Sequence, residues 1–177
     1  DVENENLFDK TLMNTIRTWV IYKNNHSWTS YLSPIAFFSH NPIIVNQNQT
    51  NAKPLNEIRI ATALENEYYV FTNLALLNKI GVEYRFFDGL IQDNVRIRYK
   101  CNARFDLSKK TVFILGDELF INLRNTTSQN NFDHNRVFFQ TQFKLSTASK
   151  IDFGYIFITR SRKTAPFNLQ EHNLVLN

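Results

Sequence analysis

Glu57 and Arg59 in "NEIR", and Glu83 and Arg85 in "EYR", are oppositely charged pairs two residues apart. In an extended chain that spacing puts both members of each pair on one face. Carboxylates at such positions suit general acid–base work or cation binding. An arginine beside each one favours an ion pair instead. Arg96, Arg98 and Arg104 follow at even positions of "NVRIRYKCNARFDLS", Glu118 sits in "DELF", and Arg136 in "NRVFF". These nine residues read as an ion-pair lattice lining an interior, with Glu65 and Glu171 as further acidic partners. His26, His40, His134 and His172 fall in turns or near strand ends, where a loop or interface role explains them. No Ser/His/acid set stands at strand-compatible spacing, so no catalytic residue is assigned. No cluster of metal ligands is present in the pattern, and no cofactor is expected. The single cysteine, Cys101, excludes an internal disulfide and a cysteine-based zinc site, and it lies among apolar residues.

The elements that must carry these side chains are strands. From Val95 to Leu107 apolar and polar residues alternate at every position, which is period two. The same alternation runs through "NEIRIATALE", "KIGVEYRFF", "DELFINLR", "NRVFFQTQFKLS" and "KIDFGYIFITR". Strands are expected at roughly 14–23, 27–39, 56–66, 77–87, 94–107, 111–124, 135–146, 150–160 and 171–177. Pro34 weakens the second of these. Asp117 falls on the apolar side of its strand, which suggests a bulge beside Gly116 or a membrane edge. The turn between the third and fourth strands is not fixed within 66–76. Tight turns at "KNNHS", "LSKKT" and "STASK" alternate with longer polar loops at 40–55, 88–94, 125–134 and 161–170. Strand, tight turn, strand, long loop is the layout of an up-and-down membrane barrel.

Which face is outside decides the class. A strand from Val95 to Leu107 is about 43 Å long, or roughly 30 Å in height at ~45° tilt, enough for the apolar band of an outer membrane. The apolar faces carry large residues along their whole length. The polar faces mix both charge signs with Gly81, Gly154, Ala61 and Ala63, small residues that suit a crowded interior. A soluble barrel, apolar inside and charged outside, shows the same alternation and stays open as an alternative. The chain has 177 residues with 16 Phe and 7 Tyr, and its net charge of +4 is dispersed along strands. That dispersion argues against a nucleic-acid partner. No apolar run is long enough for a membrane-spanning helix.

The segments "NEIR", "EYR", "RIRY", "DELFINL" and "HNRVFFQTQFKLSTASKIDFGYIF", in this order over about residues 15–176, resemble the bacterial outer-membrane barrels grouped as domain of unknown function 2490. The resemblance implies an outer-membrane β-barrel of Gram-negative bacteria and no established reaction. Lys79 keeps part of the basic character that precedes the E-x-R element in that family.

The expectation is therefore an all-β, antiparallel, up-and-down transmembrane barrel of about ten strands, nine of them visible. Residues 1–177 form its single domain. Strand parity places an ascending strand before Asp1 and more of the last strand after Asn177, because bacterial barrels close on an even number. Phe120 and Phe138 point inward with the long charged side chains, so any pore is closed or very narrow. Three functions stay open: a non-enzymatic envelope subunit or narrow channel, an outer-membrane lipid hydrolase, and a soluble lipid carrier. The first implies location in the cell outer membrane, with lipid and lipopolysaccharide as partners and other outer-membrane or periplasmic proteins beside them.

Overall fold

A computed structural model describes residues 13–24, 27–41, 53–89, 92–124, 130–146, 149–161 and 168–176. Among these, the chain is all β. The strands are β1 (Met13–Arg17), β2 (Val20–Lys23), β3 (Trp28–His40), β4 (Leu55–Phe71), β5 (Leu74–Phe87), β6 (Asn94–Asp106), β7 (Thr111–Asn122), β8 (Phe132–Lys144), β9 (Lys150–Arg160) and β10 (Leu169–Leu176). Among the described residues no helix is long and apolar enough to cross a membrane, which says nothing of crossing by strands.

Every pairing is antiparallel, and from β3 to β10 each strand pairs with the next in sequence. β1 and β2 lie in succession along β3, with Arg17 opposite Ala36 and Val20 opposite Leu32. They are two halves of one strand broken at Thr18 and Trp19, where the sequence pattern gave a continuous 14–23. Among the described residues neither half pairs with β10, so the sheet is open.

Period two is kept from strand to strand because paired residues share a face. Ala61, Glu83, Arg96 and Asn122 stand in one row across β4 to β7, and Thr62, Val82, Ile97 and Ile121 stand in the next row on the opposite face. The first face is concave. Arg17 of β1 reaches Glu83 of β5 at 3.3 Å with β3 and β4 between them. Arg85 of β5 comes within 3.8 Å of Asp133 on β8 across β6 and β7. In a flat sheet three strand spacings are about 14 Å, so the sheet curls toward this face as a barrel wall does.

Local irregularities lie elsewhere than the pattern suggested. Pro34 does sit inside β3, in a bulge between Ser33 and Ala36 that leaves Pro34 and Ile35 both exposed. The extra residue restores the parity of Ala36 and Phe38 on the concave side. No bulge adjoins Gly116: the register runs unbroken through Asn102–Gly116 and Cys101–Asp117. Asp117 lies in the middle of β7, exposed on the convex face, and accepts the Asn135 amide at 2.6 Å. Gly116 has another purpose. A Cβ there would collide with the Phe138 ring and with Asn102 Oδ1, so its lack of a side chain lets Phe138 lie across the strand. The irregularity of the β7–β8 pair comes later, where Phe120 faces His134 but Ile121 faces Phe132, and Asp133 is the extra residue. β4 and β5 run on to a tight turn at Thr72 and Asn73, which the sequence pattern could not place. Most of the expected long loops, and His26, lie outside the described residues.

Candidate functional site

The concave face is built around carboxylates that each serve several cations. Glu83, 1% exposed, takes Arg96 Nε at 3.0 Å, Arg98 Nη1 at 2.5 Å and Arg17 Nη2 at 3.3 Å, with Arg59 Nη1 at 4.0 Å. These come from β6, β1 and β4, on both sides of its own strand. Glu57 accepts Arg85 Nε at 2.8 Å on Oε2, while its Oε1 accepts Arg59 and lies 2.8 Å from His40 Nε2. Asp133 accepts Arg96 Nη1 at 2.7 Å and lies 3.1 Å from His134 Nδ1. Glu118 accepts Arg98 Nε at 3.1 Å, and Arg136 Nη1 stands 3.9 Å away. Arginine suits this work because its planar fork offers five donors and bridges two carboxylates at once. Arg96 does so between Glu83 and Asp133, and Arg98 between Glu83 and Glu118.

Of the residues the sequence singled out, Glu57, Arg59, Glu83, Arg85, Arg96, Arg98, Glu118 and Arg136 fall into this one network. Arg104 stands apart near the tight-turn end of β6, 2.8 Å from both the Tyr69 hydroxyl and Glu67, and 3.5 Å from Asp106. Glu65 receives the Tyr31 hydroxyl at 2.8 Å and Lys79 at 3.6 Å, and Glu171 receives Arg160 at 2.9 Å.

An aromatic ring holds the arginines together. Phe120 is 1% exposed, and the guanidinium carbons of Arg96, Arg98 and Arg136 lie 4.8, 4.9 and 4.7 Å from its centre. The ring's negative face attracts cations that would otherwise repel one another. His134 stacks on the same ring at 3.8 Å. Sequence reasoning placed His134 as a loop or interface residue; it is a buried strand residue that packs this ring. It missed Asp133 because an unseen bulge turns that side chain inward, and Arg17 because the break at Thr18 blurs the pattern of its strand.

The chemistry this arrangement offers is charge pairing. His134 Nδ1 on Asp133 has the form in which a carboxylate orients an imidazole. Its Nε2 is buried without a hydrogen-bond partner among the described residues, so no nucleophile is joined to the pair there. Among the described residues no group of three His, Cys, Asp or Glu is placed to hold a metal ion.

Around the network some space remains, including cavities of about 90 and 300 Å3 that share Arg98, Lys100 and Glu118 in their walls. The convex face is the reverse of this interior. Ile16, Phe71 and Leu174 are 72%, 65% and 87% exposed, and large apolar residues line that side of every strand.

A family model described as "Protein of unknown function (DUF2490)" matches residues 3–168. No curated protein and no solved structure gives a significant match to the chain.

Proposed function

We infer, for a chain that belongs to the DUF2490 family of proteins of unknown function, that it is a lipid-facing β-barrel wall of the Gram-negative outer membrane. Its interior is closed by ion pairs, and its role is structural or accessory within an envelope complex. One observation carries this reading: polarity is inverted, with charges inside and large apolar side chains outside. Soluble monomers rarely expose contiguous apolar patches above a few hundred Å2, and here the apolar face follows the whole sheet. A soluble lipid carrier would need the opposite, an apolar interior, whereas the concave face here holds Glu57, Glu83, Arg85 and Arg96, all buried. Lipid and lipopolysaccharide then cover the convex face. Asp117 and Asn135 satisfy each other by a hydrogen bond on that face, and other outer-membrane or periplasmic proteins are proposed as further partners.

The accessory role is favoured over an open channel because the ion-pair network and the Phe120 ring occupy the concave face from β1 to β8. Fractionation of cells expressing the full-length protein tests the location: it should resist carbonate washing and dissolve only with detergent. Recovery in the soluble fraction without detergent overturns the reading. In planar bilayers the purified protein should show no large steady conductance, and a stable open level would replace the accessory role by a channel.

A further inference from the structure

We propose that the 300 Å3 cavity beneath β6 to β10 is a binding site for a phosphate monoester, recognised as a dianion. Its walls include Arg98, Lys100, Arg136, Glu118, Phe138 and Gly154. Arg98 is answered by both Glu83 and Glu118, which leaves Lys100 and Arg136 as two positive charges that Glu118, 3.9 Å from Arg136, partly offsets. A phosphate monoester carries about −1.5 to −2 at neutral pH, so its charge suits those two cations.

The cations are also incompletely engaged. Glu118 is held closely by Arg98, which donates to it through Nε at 3.1 Å. Arg136 makes a single ion pair among the described residues, at 3.9 Å, and its Nε is buried with no hydrogen-bond partner there. Lys100 has no carboxylate within 4.0 Å among the described residues, and its ammonium rests 4.5 Å from the centre of the Phe138 ring. Lys79 stands directly opposite Lys100 on β5, with its own charge answered by Glu65 at 3.6 Å. Lys100 and Arg136 are half-buried, so a weakly compensated charge there is costly in part, and a bound dianion reduces that cost.

Shape supports an organic ester over a bare ion. The volume lies at the small end of small-molecule sites. Gly154, Ile156 and Val175 add apolar wall to the cavity on its β9 and β10 side. Phosphate would sit between Lys100 and Arg136, with its organic group along that side.

The site needs the concave face alone, so fractionation results neither support nor weaken it. The test uses the full-length folded protein, in detergent micelles or in buffer as its solubility requires. Glycerol 3-phosphate is titrated by calorimetry at constant ionic strength, and phosphatidic acid is titrated in mixed micelles. Saturable binding is expected, with roughly tenfold weaker affinity in Lys100→Gln and in Arg136→Gln, since each loses a charge-assisted contact. Arg136→Lys keeps the charge and should recover most of the binding, which separates recognition from misfolding. Tighter binding of the lipid names a headgroup as the source, and tighter binding of glycerol 3-phosphate names a free ester. Absence of saturable binding by both probes, or affinities unchanged in both glutamine variants, overturns the proposal.

Discussion

Replacing Glu83 by Gln removes the charge on which four guanidinium groups converge while keeping the size of the side chain. Arg96 and Arg98 lie 2.5 Å away, Arg17 3.3 Å and Arg59 4.0 Å. Breaking a buried ion pair from one side costs about 3 to 5 kcal/mol, because the partner stays buried and uncompensated. Two features hold the loss near the lower end. Arg96 keeps Asp133 at 2.7 Å, and Arg98 keeps Glu118. Arg17 and Arg98 also retain some contact with water, which screens them. The expected loss is about 3 kcal/mol. With a urea slope of about 1 to 3 kcal/mol per molar, the unfolding midpoint falls by about 1 to 3 M. Trp19 is a suitable fluorescent reporter, since its ring lies 4.0 Å from the Arg17 guanidinium. Adding Arg96→Met to Glu83→Gln should return part of the loss, with a coupling of at least about 1 kcal/mol in the double-mutant cycle. A midpoint shift below about 0.3 M would show that the arginines do not depend on Glu83 for compensation, and strict additivity would show that Glu83 and Arg96 are not coupled.

Phe120→Ala should destabilise by about 3 to 5 kcal/mol in the same urea assay, through loss of a large buried ring and of the platform for three arginines; a loss under about 1 kcal/mol contradicts that role. Gly116→Ala places a methyl group against the Phe138 ring and Asn102, so it should cost about 1 to 3 kcal/mol; a neutral result would mean that Phe138 moves aside freely. Val82→Arg, on the convex face of β5, separates lipid from water: in bilayers it should cost up to about 2 to 4 kcal/mol, depending on depth, whereas on a wetted surface it stays within about 0.5 kcal/mol.

The alternation of apolar and polar residues discloses which side chains share a face, and that is enough to group Glu57, Glu83, Arg96, Arg98 and Glu118 from the sequence alone. Strand pairing then brings them together with little further choice, because neighbouring strands keep the same parity. What the pattern could not disclose were departures from period two. Asp133 is the clearest case: beside His134 it looks like the start of a strand, and only the change of register opposite Phe120 and Ile121 turns it inward. Asp117 misled in the other direction. Its charge on an apolar face suggested a bulge, yet the register is regular and Asn135 satisfies it across the strand pair. The ends of β4 and β5 were hidden because "EYYVFTNLALL" holds neither glycine nor proline to mark the turn at Thr72 and Asn73. Arg17 was hidden by the break at Thr18 and Trp19, a tertiary adjustment with no local residue signature.

The convergence on Glu83 has a consequence for how the sheet finds its alignment. A hairpin such as β4–β5 can zip from its turn using neighbours close in sequence, but Arg17 and Glu83 are 66 residues apart and Arg96 and Asp133 are 37 apart. These bonds form only once separate hairpins have joined and curled, so they reward the end of assembly and not its beginning. A slip of one residue in any strand would turn its charges toward the convex side and its apolar side chains toward the arginines. Glu83, touching cations from β1, β4 and β6, senses an error at each of the intervening seams simultaneously. The Glu83 pairs with Arg96 and Arg98 check the β5–β6 seam alone, and the full set of buried charge pairs is complete only when every seam it crosses is correctly aligned.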